Sequence, residues 1–196
     1  MFNRPRKGSS TRADSRRRTI TRTFRIRKAW DDVLLEEAER QGVSVNVLVN
    51  KILRRYTLFT RWADRGAVMS FTQLMFRRLL EELSEESLAR AGTTSGYSDV
   101  SDIINMLGRP VNYDSFVYLL SEYLGGSDFC RWFTCFHHIR RDKDVFHLQH
   151  NLGRRWSVYL ENYLLSSLRP LIKGDAESKI YDSAVNLKVA SSHSKG

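Results

Sequence analysis

TRTFRIRKAWDD, residues 21–32, changes its periodicity halfway along. From Thr21 to Arg27 it alternates: successive residues of an extended chain point to opposite sides, so Thr21, Thr23, Arg25 and Arg27 share one face and Phe24 and Ile26 the other. After Arg27 the apolar positions Trp30, Val33, Leu34 and Ala38 recur at helical spacing, with Asp31, Asp32, Glu36, Glu37, Glu39 and Arg40 mostly on the opposite side. Asp31 and Asp32 occupy the first turn, where the helix dipole favours acids. Gly42 is predicted to end this helix in the left-handed cap position, and Ser44 to cap a second one. The stripe Val45, Leu48, Val49, Ile52, Leu53, Tyr56 and Phe59 carries that second helix to about Ala63. An extended segment with one apolar face and one face of hydroxyls and guanidinium groups needs a partner on each.

The charge distribution narrows what the polar face meets. The 196-residue chain has a formal net charge of +10, from 32 Lys and Arg against 22 Asp and Glu. Residues 1–28 hold eleven of the basic residues and one acid, Asp14, which leaves 21 of each sign for the remainder. The whole excess therefore sits in one arm, an electrostatic footprint for a polyanion. Residues 1–19 are rich in Arg and Ser with almost nothing to bury, the composition of a flexible basic arm. A solubilising tail or a localisation signal would have the same composition. No apolar run is long enough to span a bilayer and no secretory leader is visible, so the sequence predicts an intracellular, nucleoid-associated protein.

Strand, helix, Gly-Val-Ser turn and helix over residues 20–63 resemble the ribbon-helix-helix family of prokaryotic DNA-binding regulators, to which the Arc and methionine repressors belong. RTFRIR, the helix ending AERQG and the helix start VSVN carry the resemblance. The family's Ser, Asp or Pro helix start is replaced here by Lys28 and Ala29. A unit of this size buries too little by itself and its strand has two unpaired edges. Two copies pairing antiparallel would cover Phe24 and Ile26 and present Thr23 and Arg25 on a two-stranded ribbon that fits the major groove. The resemblance thus implies a homodimer or higher homo-oligomer on double-stranded DNA. Arg25 is the candidate for bidentate contact to guanine and Thr23 for a hydroxyl or methyl contact; Thr21, Arg27 and Lys28 lie at the ribbon ends. Ser44, Val45 and Asn46 open a helix suited to clamping a phosphate, and Arg16, Arg17 and Arg18 follow the backbone beyond the groove. The bland alternative is an edge strand beside a helical hairpin with its arginines merely solvated.

Residues 67–190 have the composition of a separate α+β domain with a small antiparallel sheet, and 191–196 of a short tail. Asp64-Arg65-Gly66 reads as the break, and Ala67–Phe71 as a short strand. Leu74, Met75, Leu79, Leu80 and Leu83 suggest a helix, Ser84 and Ser98 or Asp99 further helix starts, and AGTTSGYS (91–98) a loop. Asn112 precedes a helix that ends at Gly125-Gly126. Two aromatic-rich runs flank RRDK (140–143) as a hairpin in which Ile139 faces Asp144, with Asp142 and Asp144 as turn residues. A helix of about fifteen residues through Trp156 and Leu168 and a last strand near Ala184–Val189 complete the order. That order is similar to ferredoxin-like or ACT regulatory domains, and HNLGRRWSVYLENYL (150–164) resembles the C-terminal part of archaeal ribbon-helix-helix proteins with no assigned role.

The chemistry-bearing residues are few. Cys130 and Cys135 make neither a disulfide framework nor a zinc-ribbon spacing. In the hairpin register Cys135, His137 and His150 share a face, the one combination that would suit a metal. No nucleophile elbow, phosphate-binding glycine loop or HExxH signature is present, so no catalytic residues and no cofactor are predicted. The sequence reads as a sequence-specific, non-enzymatic DNA-binding transcriptional regulator, a repressor in kind. An architectural DNA-coating protein and a metal-responsive repressor are the alternatives.

Overall fold

The computed structural model describes residues 19–61, 71–126, 132–140 and 143–190, in two compact units, Met1–Leu48 and Val49–Gly196. The basic arm with Arg16, Arg17 and Arg18, the break at 64–66, all but the last residue of the run 67–71, Cys130, Asp142 and the tail lie outside the described residues.

In the first unit, residues 19–27 form no helix and pair with no described strand. Helix α1, Lys28–Gln41, follows. Arg27 stands at its N-cap in an extended conformation with no side-chain bond, which is the cost of lacking a Ser or Asp there. Gly42 ends the helix at φ 65°, its N–H reaching back to the last turn, as the sequence predicts. Ser44 precedes α2, Val45–Arg55, and its hydroxyl accepts the Val47 N–H at 3.3 Å.

In the second unit the chain runs on through a π-helical turn, Tyr56–Thr60. There Thr57 bonds back to the carbonyls of Leu53 and Arg54, at 2.9 and 3.0 Å, and so competes with the regular ladder. Helix α3, Gln73–Glu81, is capped by Thr72, whose hydroxyl accepts from Met75 N. Helix α4 runs unbroken from Glu85 to Met106 behind the Ser84 cap. The predicted loop 91–98 and the helix starts at Ser98 or Asp99 are therefore corrected: AGTTSGYS is mid-helix. The reason is tertiary. Gly92 and Gly96, one turn apart, lie against the backbone of another helix at Tyr159 and Tyr163, where a side chain has no room. Helix α5, Tyr113–Tyr118, starts on Asn112 and continues as a π-helical turn, Leu119–Leu124, up to Gly125.

Strands β1, Thr134–Arg140, and β2, Lys143–Gln149, form the predicted hairpin with Ile139 opposite Asp144. Helix α6, Arg154–Leu168, is followed by β3, Ala176–Tyr181, and β4, Ala184–Ala190. The β3 strand was not predicted; AESKIY is short and exposes every second residue, so its apolar signal is weak. The sheet order is β1-β2-β4-β3 and every pair is antiparallel. This is an α+β arrangement of two hairpins joined by α6, and the order of described strands differs from the β-α-β-β-α-β of a ferredoxin-like domain. The inner face of the sheet carries Phe146, Leu148, Val185, Leu187 and Val189 into a core shared with Leu160, Tyr163 and Leu164 of α6 and Phe116, Leu119 and Leu120 of α5 and its π turn. No described helix is long and apolar enough to cross a membrane.

Candidate nucleic-acid interface

The segment leading into α1, residues 19–27, is exposed along its whole length. Thr21, Thr23, Arg25, Arg27 and Lys28 are exposed, and so are the apolar residues between them: Phe24 is 68% and Ile26 48% exposed. Trp30 and Val33 on α1 are exposed as well. Of residues 19–48 just Ala38 and Leu48 are buried. A folded segment seldom leaves this much contiguous apolar surface in water unless something else covers it.

The cations of this segment differ in what holds them. The Arg27 guanidinium lies over the Trp30 ring, 5.2 Å from its centroid, and Lys28 pairs with Asp32 at 2.8 Å. Both contacts are solvent-exposed, worth a few tenths of a kcal/mol, and a phosphate would displace them readily. Further along α1, Glu37 binds Arg40 at 2.6 Å, a contact that holds its carboxyl well down, at about 2, chiefly through that hydrogen bond. Asp32 and Glu37 are thus tied to basic residues of α1 itself. At the start of α2 the Ser44 hydroxyl is already used on Val47; Val45 and Asn46 follow it in the first turn, as the sequence places them.

The metal candidates are not brought together. Among the described residues no group of three or more His, Cys, Asp or Glu side chains could hold an ion. His150 is enclosed: Leu152 N–H donates to Nδ1 at 3.3 Å, which puts the ring proton on Nε2, and Nε2 contacts the Ser157 hydroxyl at 2.9 Å. Burial pushes its pKa down to about 4, and both nitrogens are engaged. Burial also pushes the Cys135 thiol up to about 11, so it is a protonated thiol at neutral pH and a poor ligand.

His137 instead belongs to a hydrogen-bonded chain that the sequence did not suggest. Its ring stacks on Phe146 with centroids 4.4 Å apart, and Nε2 lies 2.6 Å from Asp144 Oδ1. The other Asp144 oxygen accepts from the Tyr113 hydroxyl at 2.9 Å. Asp144, read from the sequence as a turn residue, is a buried acceptor joining β2 to α5 and to the edge strand β1. Its alternation with Val145 and Phe146 was the available signal, since the β2 register already placed it inward. No protein-family model, curated protein or solved structure matches the chain.

Proposed function

We propose that this chain is a homodimeric, sequence-specific DNA-binding regulator of the ribbon-helix-helix kind, in which residues 21–27 of two copies pair antiparallel and enter the major groove. One observation carries the reading. Phe24 and Ile26 alternate in sequence with Thr23 and Arg25 along a segment that pairs with no described strand and is exposed throughout. Pairing with a second copy satisfies the backbone edge and covers the apolar residues in one step, and it leaves the hydroxyls and guanidinium groups together on the outside. The localised +10 of the first 28 residues supplies the attraction to phosphate. Arg25 reads bases, Thr23 assists it, and Arg27, Lys28 and the arm position the ribbon on the backbone. The second unit, with its own core, serves oligomerisation or regulation.

Selection of bound fragments from random duplex DNA at two salt concentrations tests this. A palindromic motif is the expected result, with a salt slope that counts the phosphate contacts. Bound fragments without a common motif would make the chain an architectural coat protein. A strictly monomeric chain in sedimentation at working concentration would remove the ribbon altogether.

A further inference from the structure

We infer that the outer face of the four-stranded sheet is a second nucleic-acid surface, one that takes a single strand, DNA or RNA, rather than a duplex. This face belongs to the second unit and does not rest on the role proposed for residues 21–27. The helices of this unit pack on the inner face, where Ser178 of β3 also bonds Glu161 of α6 at 2.6 Å. On the outer face the Arg, Lys, Phe and Tyr side chains are exposed, while Val145, His147 and Asn186 are half-buried and Ala184 is buried.

The register sets what that face displays. Arg140 and Lys143 stand opposite each other at one end of the hairpin, and Lys188 and Lys179 continue the basic residues across β4 and β3. The one carboxylate among them, Glu177, is engaged by Lys143 at 3.4 Å. Four cations against one acid give this face a local positive field.

Two exposed aromatic rings lie on this same face of the sheet. Phe136 on β1 is 53% exposed and Tyr181 on β3 is 42% exposed. Phe136 sits beside His147, with centroids 6.2 Å apart, and His147 is fixed in turn by donating its Nδ1–H to the Asn186 amide oxygen. Lys179 lies 5.3 Å from the centre of the Tyr181 ring. From strand spacing, Phe136 and Tyr181 are roughly 15 Å apart across the sheet. Open rings interleaved with cations are what unpaired bases and their phosphates require: the rings take the base faces and the cations the backbone.

A duplex does not fit this surface. Its bases are stacked on one another, so Phe136 and Tyr181 would meet only backbone, and four strands side by side are too broad for a groove about 12 Å wide. A second copy of the same face would set four cations against four. An apolar protein partner would find two separated rings rather than a continuous patch.

Fluorescence anisotropy on the full chain tests the assignment, using labelled single-stranded DNA, single-stranded RNA and duplex DNA of about a dozen nucleotides. The variants are Phe136→Leu with Tyr181→Leu, which keeps apolar volume on the strands, and Lys179→Glu with Lys188→Glu. Each pair is expected to weaken single-strand binding by roughly tenfold or more while duplex affinity stays within about twofold. Ultraviolet cross-linking to the single strand is expected to label β1 or β3. Unchanged single-strand affinity in both variants, an equal loss on duplex, or cross-links confined to residues 1–28 would each overturn it.

Discussion

Gly96 lies directly against the backbone of Tyr163: a Cβ added there would stand 2.3 Å from the Tyr163 carbonyl oxygen and 2.0 Å from Ser166 Oγ. Gly92, one turn earlier, meets Tyr159 O at 2.5 Å in the same way. Helices α4 and α6 therefore touch backbone to backbone, and the Ser166 hydroxyl lies within reach of two carbonyls, Tyr163 O at 3.1 Å and Gly92 O at 3.4 Å. Ser166 can turn aside but a carbonyl cannot. Gly96→Ala is expected to destabilise the second unit by about 1–3 kcal/mol despite the higher helix propensity of alanine, because the two helices must separate. Urea denaturation of the variant checks it; an unchanged midpoint would mean that the helices are not in close contact.

Asp144 holds Tyr113 and His137 from a buried position, and removing it orphans the phenol hydroxyl. Asp144→Ala is expected to cost about 2–4 kcal/mol, more than Tyr113→Phe at about 1 kcal/mol, since the first change leaves a buried donor unsatisfied and the second removes one. A double-mutant cycle followed by chemical denaturation measures the coupling; strict additivity would place the two groups out of contact.

Acid pH acts through His150. Its folded pKa, about 4, lies below the value near 6.5 of an unfolded histidine. Between those two values the unfolded chain takes up a proton that the folded one refuses, so this contribution is complete above about pH 6.5 and is lost as pH falls toward 4. The loss from this group is up to about 3 kcal/mol. Denaturation midpoints of the wild type at pH 7, 5.5 and 4, compared with His150→Gln, separate this group from the carboxylates: the variant is expected to show a flatter profile over that window.

Alkaline pH acts through Tyr113 and Cys135. Burial first, and then the Asp144 carboxylate, raise the Tyr113 phenol, and burial raises the Cys135 thiol to about 11. Both stay neutral in the folded chain while their unfolded counterparts ionise, the thiol above about pH 9 and the phenol above about 10. Stability is thus present below those values and falls as pH rises through them. Tyr113→Phe is expected to lessen the fall above pH 10, measured by circular dichroism during base titration.

The proposed ribbon predicts two different losses. Phe24→Glu places a charge where two copies would meet and is expected to give monomers in sedimentation, with selective DNA binding lost. Arg25→Ala is expected to leave the dimer and nonspecific binding intact and to cost about 1–3 kcal/mol on the preferred site alone. Equal losses of Arg25→Ala on all duplexes would remove that residue from base reading.

The features legible in the chain were those written over a few neighbouring residues. Gly42, Ser44, Ser84 and Asn112 mark helix ends because each cap is satisfied within three or four positions. The hairpin register at Ile139 and Asp144 followed from turn length and alternation. The concentration of charge in residues 1–28 is a property of the sequence and needs no fold. Distant packing settled the rest. Gly92 and Gly96 look like loop residues until α6 arrives at their backs, and Asp144 looks like a turn residue until Tyr113 reaches it from 31 residues away. AESKIY becomes a strand through its pairing with β4, which satisfies its backbone. Which faces stay open was equally invisible, Phe136 and Tyr181 outside the sheet while Phe146 and Leu148 lie within. Local sequence encodes backbone preference and alternation, but burial depends on which other surface comes to lie against a residue.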